Sequence, residues 1–390
     1  MATLKTNILR IDFDNPFLLA SAPPTACIES IDMAFEMGWG GAVLKTITPD
    51  DLEMIEASPR YAVMENKKHI IGFQNIELLS HKTVKYWCDG IKFLKQKYPS
   101  KVIIASIMSP VNQESWQNLV KILNNTPADA FELNFSCPHG MPEKGIGMAI
   151  GTDAEISYQI TKWVKEVAQK PVFVKLSPNV SNIVEIASAV ENAKADGLAA
   201  INTVQGFMGL DLNTLKPLLN VNGKTAYGGC SGQIVRPIGL RCVAQIRKAS
   251  ALPILGMGGI STWEDAVQYI FAGSDAVQVC TEVMLNGYKI IDTMLKGLQN
   301  YLEEKGFADI NALKNKALEV ITSHKDLQKT PLAYPQIDHA KCGRCGKCVT
   351  ICTESEHQAL QLIDGNIEAD KNRCVGCGLC RFVCPANAIK

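Results

Sequence analysis

The sequence has neither a net charge nor a long apolar segment, and both absences narrow its function. Its 390 residues contain 39 Lys and Arg against 39 Asp and Glu, so no overall field attracts nucleic acid or an anionic membrane surface. No uninterrupted apolar run reaches the ~18 residues that a transmembrane helix needs. The opening MATLKTNILR shows no signal segment. We therefore expect a cytoplasmic protein without nucleic-acid or membrane partners.

A dinucleotide-binding glycine fingerprint is also missing. The glycine-rich segment 38–41 precedes a predicted strand instead of following one, and the glycines at 145–147 fall in a predicted loop. If a nicotinamide nucleotide takes part in the reaction, we expect it to bind another polypeptide.

Cysteine is abundant, and it is concentrated near the C-terminal end. Eight of the 14 cysteines form two runs of the same spacing, offset by 32 residues. This spacing is typical of bacterial ferredoxins with two [4Fe–4S] clusters, in which the fourth cysteine of each run binds the other cluster. The predicted ligands are Cys342, Cys345, Cys348 and Cys384 for one cluster, and Cys374, Cys377, Cys380 and Cys352 for the other.

Zinc and disulfides explain these cysteines less well. Structural zinc favours CxxC pairs about a dozen or more residues apart, and two evenly spaced triplets do not divide into such pairs. Disulfides need an oxidising compartment, which nothing in the sequence indicates. Clusters carry single electrons, so the preceding residues should contain a redox site.

Short apolar runs alternate with amphipathic stretches from about residue 17 onward. Helical patterns lie between them, for example at 156–168, 183–195 and 262–271. Eight pairs of an apolar run and a helical stretch over roughly 290 residues predict an α/β protein with a (β/α)8 TIM barrel. A doubly wound sheet is the alternative, although it normally carries the missing fingerprint. The apolar runs are Phe17–Ala22, Gly41–Lys45, Val102–Ser106, Ala130–Asn134, Val172–Lys175, Leu198–Thr203, Ile254–Gly256 and Ala276–Val279.

These patterns predict three parts of the chain. Residues 1–305 form the catalytic barrel, and residues 306–335 form a helix and a linker marked by Pro331 and Pro335. Residues 336–390 form a small ferredoxin-like domain with two [4Fe–4S] clusters.

Active sites of TIM barrels lie at the C-terminal ends of the strands. Gly258 and Gly259 follow the seventh run and precede a helix start at Ser261 and Thr262. Backbone N–H groups and a positive helix end there predict a phosphate seat. Because a flavin accepts single electrons and delivers a hydride, a phosphorylated flavin is the expected cofactor beside the clusters.

Two lysines and one cysteine stand out at the predicted mouth. Lys45 and Lys175 are either exposed to solvent or are fixed cations that stabilise an anionic reduced flavin. Cys137 is either a small buried hydrophobe or a general acid–base thiol. Its polar neighbours and the glycines that follow it favour the second interpretation.

Four motifs together resemble the FMN domain of dihydropyrimidine dehydrogenase. They are NFSCPHGM at 134–141, VKLSPN at 174–179, INTV at 201–204 and YGGxSG at 227–232. The cysteine-rich segment continues the resemblance to residue 390. The N-terminal half of the animal enzyme, with FAD and NADP(H), has no counterpart in this sequence. The resemblance therefore implies the catalytic subunit of the split bacterial type.

The resemblance also implies roles for individual residues. Uracil or thymine would be reduced reversibly to its dihydro form, with Cys137 exchanging a proton at C5 and FMN a hydride at C6. The implied substrate-binding residues are Asn75, Asn134, Phe135, Ser136, Asn202 and Thr203. The implied FMN contacts are Ser21, Lys45, Thr46, Lys175, Gly232, Gly258, Gly259, Cys280 and Thr281. Electrons would come from NAD(P)H through a partner flavoprotein with FAD, and a homodimer of this chain would form part of a heterotetramer.

Three alternatives remain open. Dihydroorotate dehydrogenase shares the barrel, FMN and an Asn-x-Ser-Cys-Pro loop, but that loop usually continues with Asn where this chain has His139. A non-catalytic electron-transfer subunit would not need Asn134, Cys137 and Lys175 together. A flavin enzyme acting on another cyclic amide or an ene-type substrate is the third. The ferredoxin-like segment and the Cys-Pro-His-Gly-Met continuation favour pyrimidine reduction.

Overall fold

The computed structural model describes residues 2–52, 56–135, 148–327 and 333–390. The chain divides into two compact units, Met1–Ile321 and Thr322–Lys390. The division falls inside the segment 306–335 that the sequence predicts as helix and linker. The first unit contains the predicted barrel, and the second contains the eight-cysteine segment.

The described residues form sixteen strands and twelve α-helices. The strands are β1 (Thr6–Ile8), β2 (Ile11–Phe13), β3 (Phe17–Leu19), β4 (Gly41–Val43), β5 (Tyr61–Asn66), β6 (His69–Asn75), β7 (Val102–Ile107), β8 (Ala130–Asn134), β9 (Val172–Leu176), β10 (Gly197–Ala200), β11 (Val204–Gly206), β12 (Gly228–Gly232), β13 (Ile254–Met257), β14 (Ala276–Val279), β15 (Leu360–Ile363) and β16 (Asn366–Ala369). The helices are α1 (Ile28–Glu36), α2 (Val84–Lys97), α3 (Gln113–Asn124), α4 (Met148–Gly151), α5 (Ala154–Lys165), α6 (Ile183–Asn192), α7 (Arg236–Ala249), α8 (Trp263–Phe271), α9 (Thr281–Asn286), α10 (Ile290–Lys305), α11 (Lys347–Glu354) and α12 (Leu379–Val383). None of these helices has the length and apolarity that crossing a membrane requires.

Eight parallel strands close into a barrel in chain order, β3-β4-β7-β8-β9-β10-β13-β14. Each of them lies within, or overlaps, one of the eight predicted apolar runs. Such runs are buried on both faces, and a helical connection returns each strand parallel to the one before it. The TIM barrel prediction is therefore confirmed.

Strand alternation separates the inside of the barrel from the outer core. In β9, Val172 and Val174 belong to the large core that includes helix residues, whereas Phe173 belongs to the inner cluster. The β1–β2 hairpin adds Ile8 and Phe13 to this inner cluster. The hairpin thus packs with the apolar part of the barrel interior.

The interior becomes polar toward the C-terminal ends of the strands. Glu132, Lys175 and Gln278 each lie two residues beyond an inward apolar position of their strand, and all three are buried. This change from apolar to polar side chains marks the end of the barrel at which chemistry takes place.

An antiparallel sheet of order β11-β12-β6-β5 was not among the sequence predictions. Strands β5 and β6 form a hairpin whose two loop residues, Lys67 and Lys68, adopt positive φ of 51° and 69°. Strand β12 reads GGCSG, which has little strand propensity of its own. Its extended conformation depends on pairing with β6 and β11, which are distant in sequence.

The second unit repeats one arrangement around its two cysteine runs. Helices α11 and α12 each follow a glycine of left-handed backbone, Gly346 with φ 72° and Gly378 with φ 77°. Cys348, Leu360, Ile367 and Ile389 form its small buried core. Small domains with so few buried apolar residues commonly gain stability from bound metal, and the cysteine sites can provide it here.

We predict that Gly197→Ala destabilises the barrel. A Cβ at Gly197 would lie 2.4 Å from the ring of Phe173, which is fully buried. Overpacking of this kind typically costs about 1–3 kcal/mol. The midpoint of urea unfolding, followed by circular dichroism, should fall.

The compensating change provides the control for this prediction. Phe173→Leu in the Gly197→Ala background shortens the side chain that the new methyl group meets, so part of the lost stability should return. An unchanged midpoint for Gly197→Ala would show that the neighbouring barrel residues move to accommodate the new methyl group.

Candidate active site

A cleft opens at the C-terminal ends of the barrel strands. It encloses about 1080 Å³, including its open mouth. Its walls combine residues that end or follow barrel strands with residues of the antiparallel sheet. The connections between strands thus complete a site that the barrel alone would leave shallow.

The cleft brings together most of the residues predicted to bind substrate or cofactor. These are Ser21, Lys45, Thr46, Asn75, Asn134, Lys175, Asn202, Thr203, Gly232, Gly258, Gly259, Cys280 and Thr281. Ser136 and Cys137 lie outside the described residues. Phe135 is fully buried in the outer core, where its ring meets that of Trp116 edge-on with centroids 6.0 Å apart. The structure therefore does not bring Phe135 to the cleft with the others.

Lys45 is held in the cleft by Glu77, a residue that the sequence analysis missed. Lys45 Nζ lies 3.0 Å from Glu77 Oε1, and Glu77 Oε2 accepts a hydrogen bond of 3.1 Å from the Tyr61 hydroxyl. Arg60 Nε approaches the same oxygen at 3.2 Å. Burial, reinforced by the Glu77 charge, raises the pKa of Tyr61, so its hydroxyl remains protonated at neutral pH. The position of Glu77 two residues after Asn75 was the available sequence signal.

Lys175 has a similar partner inside the barrel. Its Nζ lies 3.5 Å from Glu132 Oε1, and Gln278 Nε2 donates to Glu132 Oε2 at 2.7 Å. Lys45 and Lys175 are only 6% and 4% exposed. The solvent-exposed alternative is therefore wrong for both lysines.

Amides and hydroxyls form a connected group beside these lysines. Asn134 Nδ2 donates to Thr46 Oγ1 at 2.9 Å, and Ser21 Oγ lies 3.1 Å from the same Thr46 oxygen. Asn202 Nδ2 reaches Asn134 Oδ1 at 3.4 Å. A primary amide has two N–H groups and two acceptor sites. Neighbouring side chains therefore set the orientation of both amides at the wall of the cleft.

Asn75 is oriented by the backbone on both sides. Its Nδ2 donates to the Gly229 carbonyl at 2.9 Å, and its Oδ1 accepts from the Glu77 N–H at 3.2 Å. Strand β6 carries Asn75, and its partner strand β12 carries Gly229. The antiparallel sheet thus positions this amide. A local sequence pattern could not have predicted the pairing.

Glycine loops bring backbone close to the cleft. Gly258 and Gly259 have φ of 121° and 75°, and a Cβ on Gly259 would lie 2.6 Å from the Gly232 carbonyl oxygen. The contact between Gly259 and Gly232, which we call the glycine junction, therefore leaves no room for a side chain. A phosphate could approach the peptide groups directly.

The helix end that follows these glycines is already occupied. The N–H groups of Ser261 and Thr262 donate to Asp265 Oδ2 at 2.9 and 3.2 Å, and Arg236 pairs with the same carboxylate group. A carboxylate at the start of α8 uses the amides and the positive helix end that a phosphate would need. Asp265 therefore occupies the amides of Ser261 and Thr262, and the glycine loops are the part of the predicted phosphate seat that remains open to a ligand.

Cys280 supplies a neutral thiol to the cleft. It directly precedes α9, and burial raises its pKa to about 11, although the nearby Lys175 and Lys45 oppose the shift. At neutral pH it is therefore a weak donor with a polarisable surface rather than a nucleophile.

The cleft fits a phosphorylated flavin. Thr203 Oγ1 and Gln278 Oε1 are buried and have no hydrogen-bond partner among the described residues. Such atoms in a polar cleft indicate a missing partner. Two buried cations and a glycine junction that admits a phosphate complete a donor set suited to an electron-accepting ring with a phosphate tail.

Two cavities in the described part of the second unit are each lined by four cysteines. The smaller, of about 420 Å³, is lined by Cys342, Cys345, Cys348 and Cys384. The larger, of about 690 Å³, is lined by Cys352, Cys374, Cys377 and Cys380. Each cavity combines three cysteines of one run with the fourth of the other, as the crossed arrangement requires.

Backbone donors to sulfur repeat at both cavities. The Ala359 N–H points to Cys352 Sγ at 3.3 Å, and the Ala388 N–H points to Cys384 Sγ at 3.2 Å. Hydrogen bonds to the ligand sulfurs adjust the potential of an iron–sulfur cluster. The donor set of each cavity therefore fits a [4Fe–4S] cluster.

The chain is similar to known proteins along most of its length. The profile of the dihydroorotate dehydrogenase family matches residues 3–302, and that of the 4Fe-4S dicluster domain matches residues 335–390. Identity is 37% with the NAD-dependent dihydropyrimidine dehydrogenase subunit PreA of Escherichia coli (strain K12), over 97% of this chain and 93% of that subunit. It is 36% with the chloroplastic dihydropyrimidine dehydrogenase (NADP(+)) of Arabidopsis thaliana, over 84% and 79%. It is 37% with the catalytic subunit of dihydroorotate dehydrogenase B (NAD(+)) of Pyrococcus abyssi, over 81% and 100%.

We predict that Gly259→Ala lowers flavin binding. The new Cβ would press on Gly232 and would hold an alanine at positive φ, which costs of the order of 1–3 kcal/mol for strain alone. The flavin content per purified chain, and the affinity for added FMN, should fall about tenfold or more.

Gly209→Ala is the matched control. Gly209 also has positive φ, 88°, but a Cβ there meets nothing within 4 Å. It should therefore keep its flavin. Equal losses in both variants would attribute the effect to general strain rather than to the glycine junction.

Paired substitutions test the crossed cluster ligands. Cys342→Ser with Cys384→Ser removes two ligands from the same cavity, so one cluster of about four irons should remain. Cys342→Ser with Cys352→Ser removes one ligand from each cavity, so both clusters should be lost or degraded. Iron analysis and electron paramagnetic resonance distinguish these outcomes, and the reverse pattern would show that each run binds its own cluster.

Proposed function

The chain belongs to the dihydropyrimidine dehydrogenase branch of the dihydroorotate dehydrogenase family, and we propose that it is the catalytic subunit of an NAD(P)-dependent dihydropyrimidine dehydrogenase. It reduces uracil or thymine, reversibly, to dihydrouracil or dihydrothymine. The observation that carries this proposal is the cleft, where asparagine amides and two buried lysines surround space for a flavin and a small ring. When bound, FMN supplies a hydride to the ring, and the clusters supply its electrons.

The two lysines provide fixed positive charge next to the flavin site. Each is already balanced by a carboxylate, Lys45 by Glu77 and Lys175 by Glu132. Charges held in place before the reaction stabilise negative charge that develops during it, because no solvent has to reorganise. We assign this role to Lys45 and Lys175.

The amides favour an uncharged substrate. Uracil and thymine have alternating donors and acceptors, and Asn75, Asn134 and Asn202 can match both with one type of side chain. The cations that line the described part of the cleft are Lys45 and Lys175, and a carboxylate balances each of them. A substrate carboxylate, as in orotate, would have to compete with Glu77 or Glu132, which supports pyrimidine reduction over dihydroorotate oxidation.

We propose that Cys137 transfers the proton to C5 of the pyrimidine. This residue is three positions after Asn134, which lines the cleft. A thiol can act as a general acid near neutral pH when its surroundings adjust its pKa. Ser136 is proposed to bind the substrate in the same segment, and a contact of Phe135 with the substrate has less support because its ring faces the outer core.

The electron donor is proposed to be a separate flavoprotein. It would carry FAD and bind NAD(P)H, since this sequence has no dinucleotide fingerprint. The Escherichia coli relative is itself named as a subunit, which supports such a partner. We further propose a homodimer of this chain within a heterotetramer, located in the cytoplasm.

The proposed reaction predicts which compounds reoxidise the reduced protein. The purified chain is reduced anaerobically with dithionite, and the flavin band is followed after addition of uracil, thymine or orotate. Uracil or thymine should restore the oxidised band, and orotate should not. Reoxidation by orotate alone would assign the chain to dihydroorotate chemistry, and reoxidation by none would favour an electron-transfer subunit.

Substitution of Cys137 tests the proton donor. Cys137→Ala should lower uracil turnover by about 10²–10⁴-fold, the usual contribution of a general acid, while flavin and iron contents stay normal. Cys137→Ser should keep slight activity, because a hydroxyl is a poorer acid. Cys88→Ala on α2 is the control and should turn over normally. Normal turnover of Cys137→Ala would remove this residue from the mechanism.

A further inference from the structure

The two cluster cavities each have one exposed cysteine, Cys345 in the first run and Cys377 in the second. Electron transfer between proteins weakens steeply with distance, so an exposed ligand is the natural point of exchange. We call residues 343–350 the first portal and residues 375–382 the second portal. They correspond position by position with the offset of 32 residues.

The first portal is cationic where the second is not. Arg344 and Lys347 are exposed and line the first cavity, and their counterparts are Gly376 and Leu379. Among the described residues, neither cation has a carboxylate within the 4.0 Å of an ion pair. Their charge is therefore available to another molecule.

The second portal is apolar. Val375, Leu379 and Phe382 are 47%, 42% and 84% exposed. The counterparts of Val375 and Phe382 are Gly343 and Thr350. Exposed apolar side chains of this kind suit a contact such as that between the two copies of the proposed homodimer, whereas exposed cations steer and orient a partner of opposite charge.

Other charges near the cavities do not reverse this difference. Lys341 and Arg373 precede the two runs at equivalent positions, so they do not distinguish the portals. Arg381 is the exposed cation of the second portal, where the first has Val349, and it stands among the three apolar side chains. His357 and Lys390 also line the second cavity.

We propose that electrons enter this chain at the first portal, where Arg344 and Lys347 dock an anionic surface of the one-electron donor protein. This rests on the proposed function, in which a separate flavoprotein supplies the electrons. Opposite charges raise the rate of association and orient the donor, in a lasting complex as in a brief one. Each transfer would oxidise the donor's reduced flavin by one electron and reduce the cluster by one. Two transfers, with two protons from solvent, match the saturation of one carbon–carbon double bond.

Matched charge reversals test the entry point. The holoprotein with oxidised clusters is mixed anaerobically with photoreduced flavodoxin, an acidic flavin protein, and cluster reduction is followed by stopped flow at low and high salt. Arg344→Glu should slow the reaction about tenfold at low salt, and the difference should shrink as salt screens the charges. Arg381→Glu, the same change at the second portal, should stay within about twofold of the unaltered protein. Lys347→Leu, which copies the second portal, should slow the reaction less than Arg344→Glu.

Two outcomes would overturn the proposal. A larger loss in Arg381→Glu than in Arg344→Glu would move entry to the second portal, and a rate independent of salt would remove electrostatic docking. Reduced methyl viologen is a small cationic donor that is reducing enough for clusters of the ferredoxin type. It separates the effect of charge from damage to the cluster, because Arg344→Glu should not slow its reaction. Iron content and the cluster absorption of each variant should match those of the unaltered protein.

Reoxidation by uracil separates this proposal from the proposed function. Dithionite reduces the chain without a donor protein, so Arg344→Glu should still be reoxidised by uracil at the normal rate. If the unaltered chain fails with every pyrimidine, the proposed function fails, while a salt-dependent loss in Arg344→Glu still supports the first portal. If uracil reacts normally but Arg344→Glu accepts electrons from flavodoxin normally, only the docking proposal fails.

Discussion

The buried pair of Lys175 and Glu132 is the interaction on which the candidate site depends. Burying two charges costs several kcal/mol each before they are paired, and neither residue is more than 4% exposed. The closed barrel makes the arrangement possible, since adjacent strands β8 and β9 hold both residues at inward positions. Gln278 from β14 supplies a further hydrogen bond to Glu132. The pair places a charge under the cleft that cannot turn toward solvent.

The antiparallel sheet completes what the barrel begins. Its strands carry Tyr61 and Asn75 to the cleft, and the turn after β6 carries Glu77. Lys45 is therefore paired with a carboxylate from outside the barrel, whereas Lys175 is paired with one from inside it. The close approach of Gly232 to Gly259 joins the sheet to the loop after β13. Fixed cations, oriented amides and exposed peptide groups thereby surround one space. A site of this kind stabilises charge because its dipoles are oriented before the reaction.

The two halves of the C-terminal unit repeat one motif but present two different portal surfaces. The crossed cysteines and the N–H groups directed at Cys352 and Cys384 are equivalent in both halves. The connection from Cys352 to Ala359 is three residues longer than that from Cys384 to Ala388. The cluster ligands keep the spacing that their geometry demands, while the residues between them differ in charge and polarity.

The sequence by itself determined the features that depend on local spacing. Barrel strands are buried along their whole length, so they appear in the sequence as eight apolar runs, and the geometry of the clusters fixes the cysteine spacing. Both features could therefore be predicted. The cleft positions at strand ends could be predicted as well, namely those of Lys45, Lys175, Asn134 and Asn202. Only the tertiary structure decided the features that depend on distant partners. Strand β12 is extended because β6 and β11 pair with it, Glu77 meets Lys45 across two elements, and Asp265 closes a helix start that looked open. Phe135 turned to the outer core because side chains alternate along a strand and its continuation, and the adjacent Asn134 took the inward position.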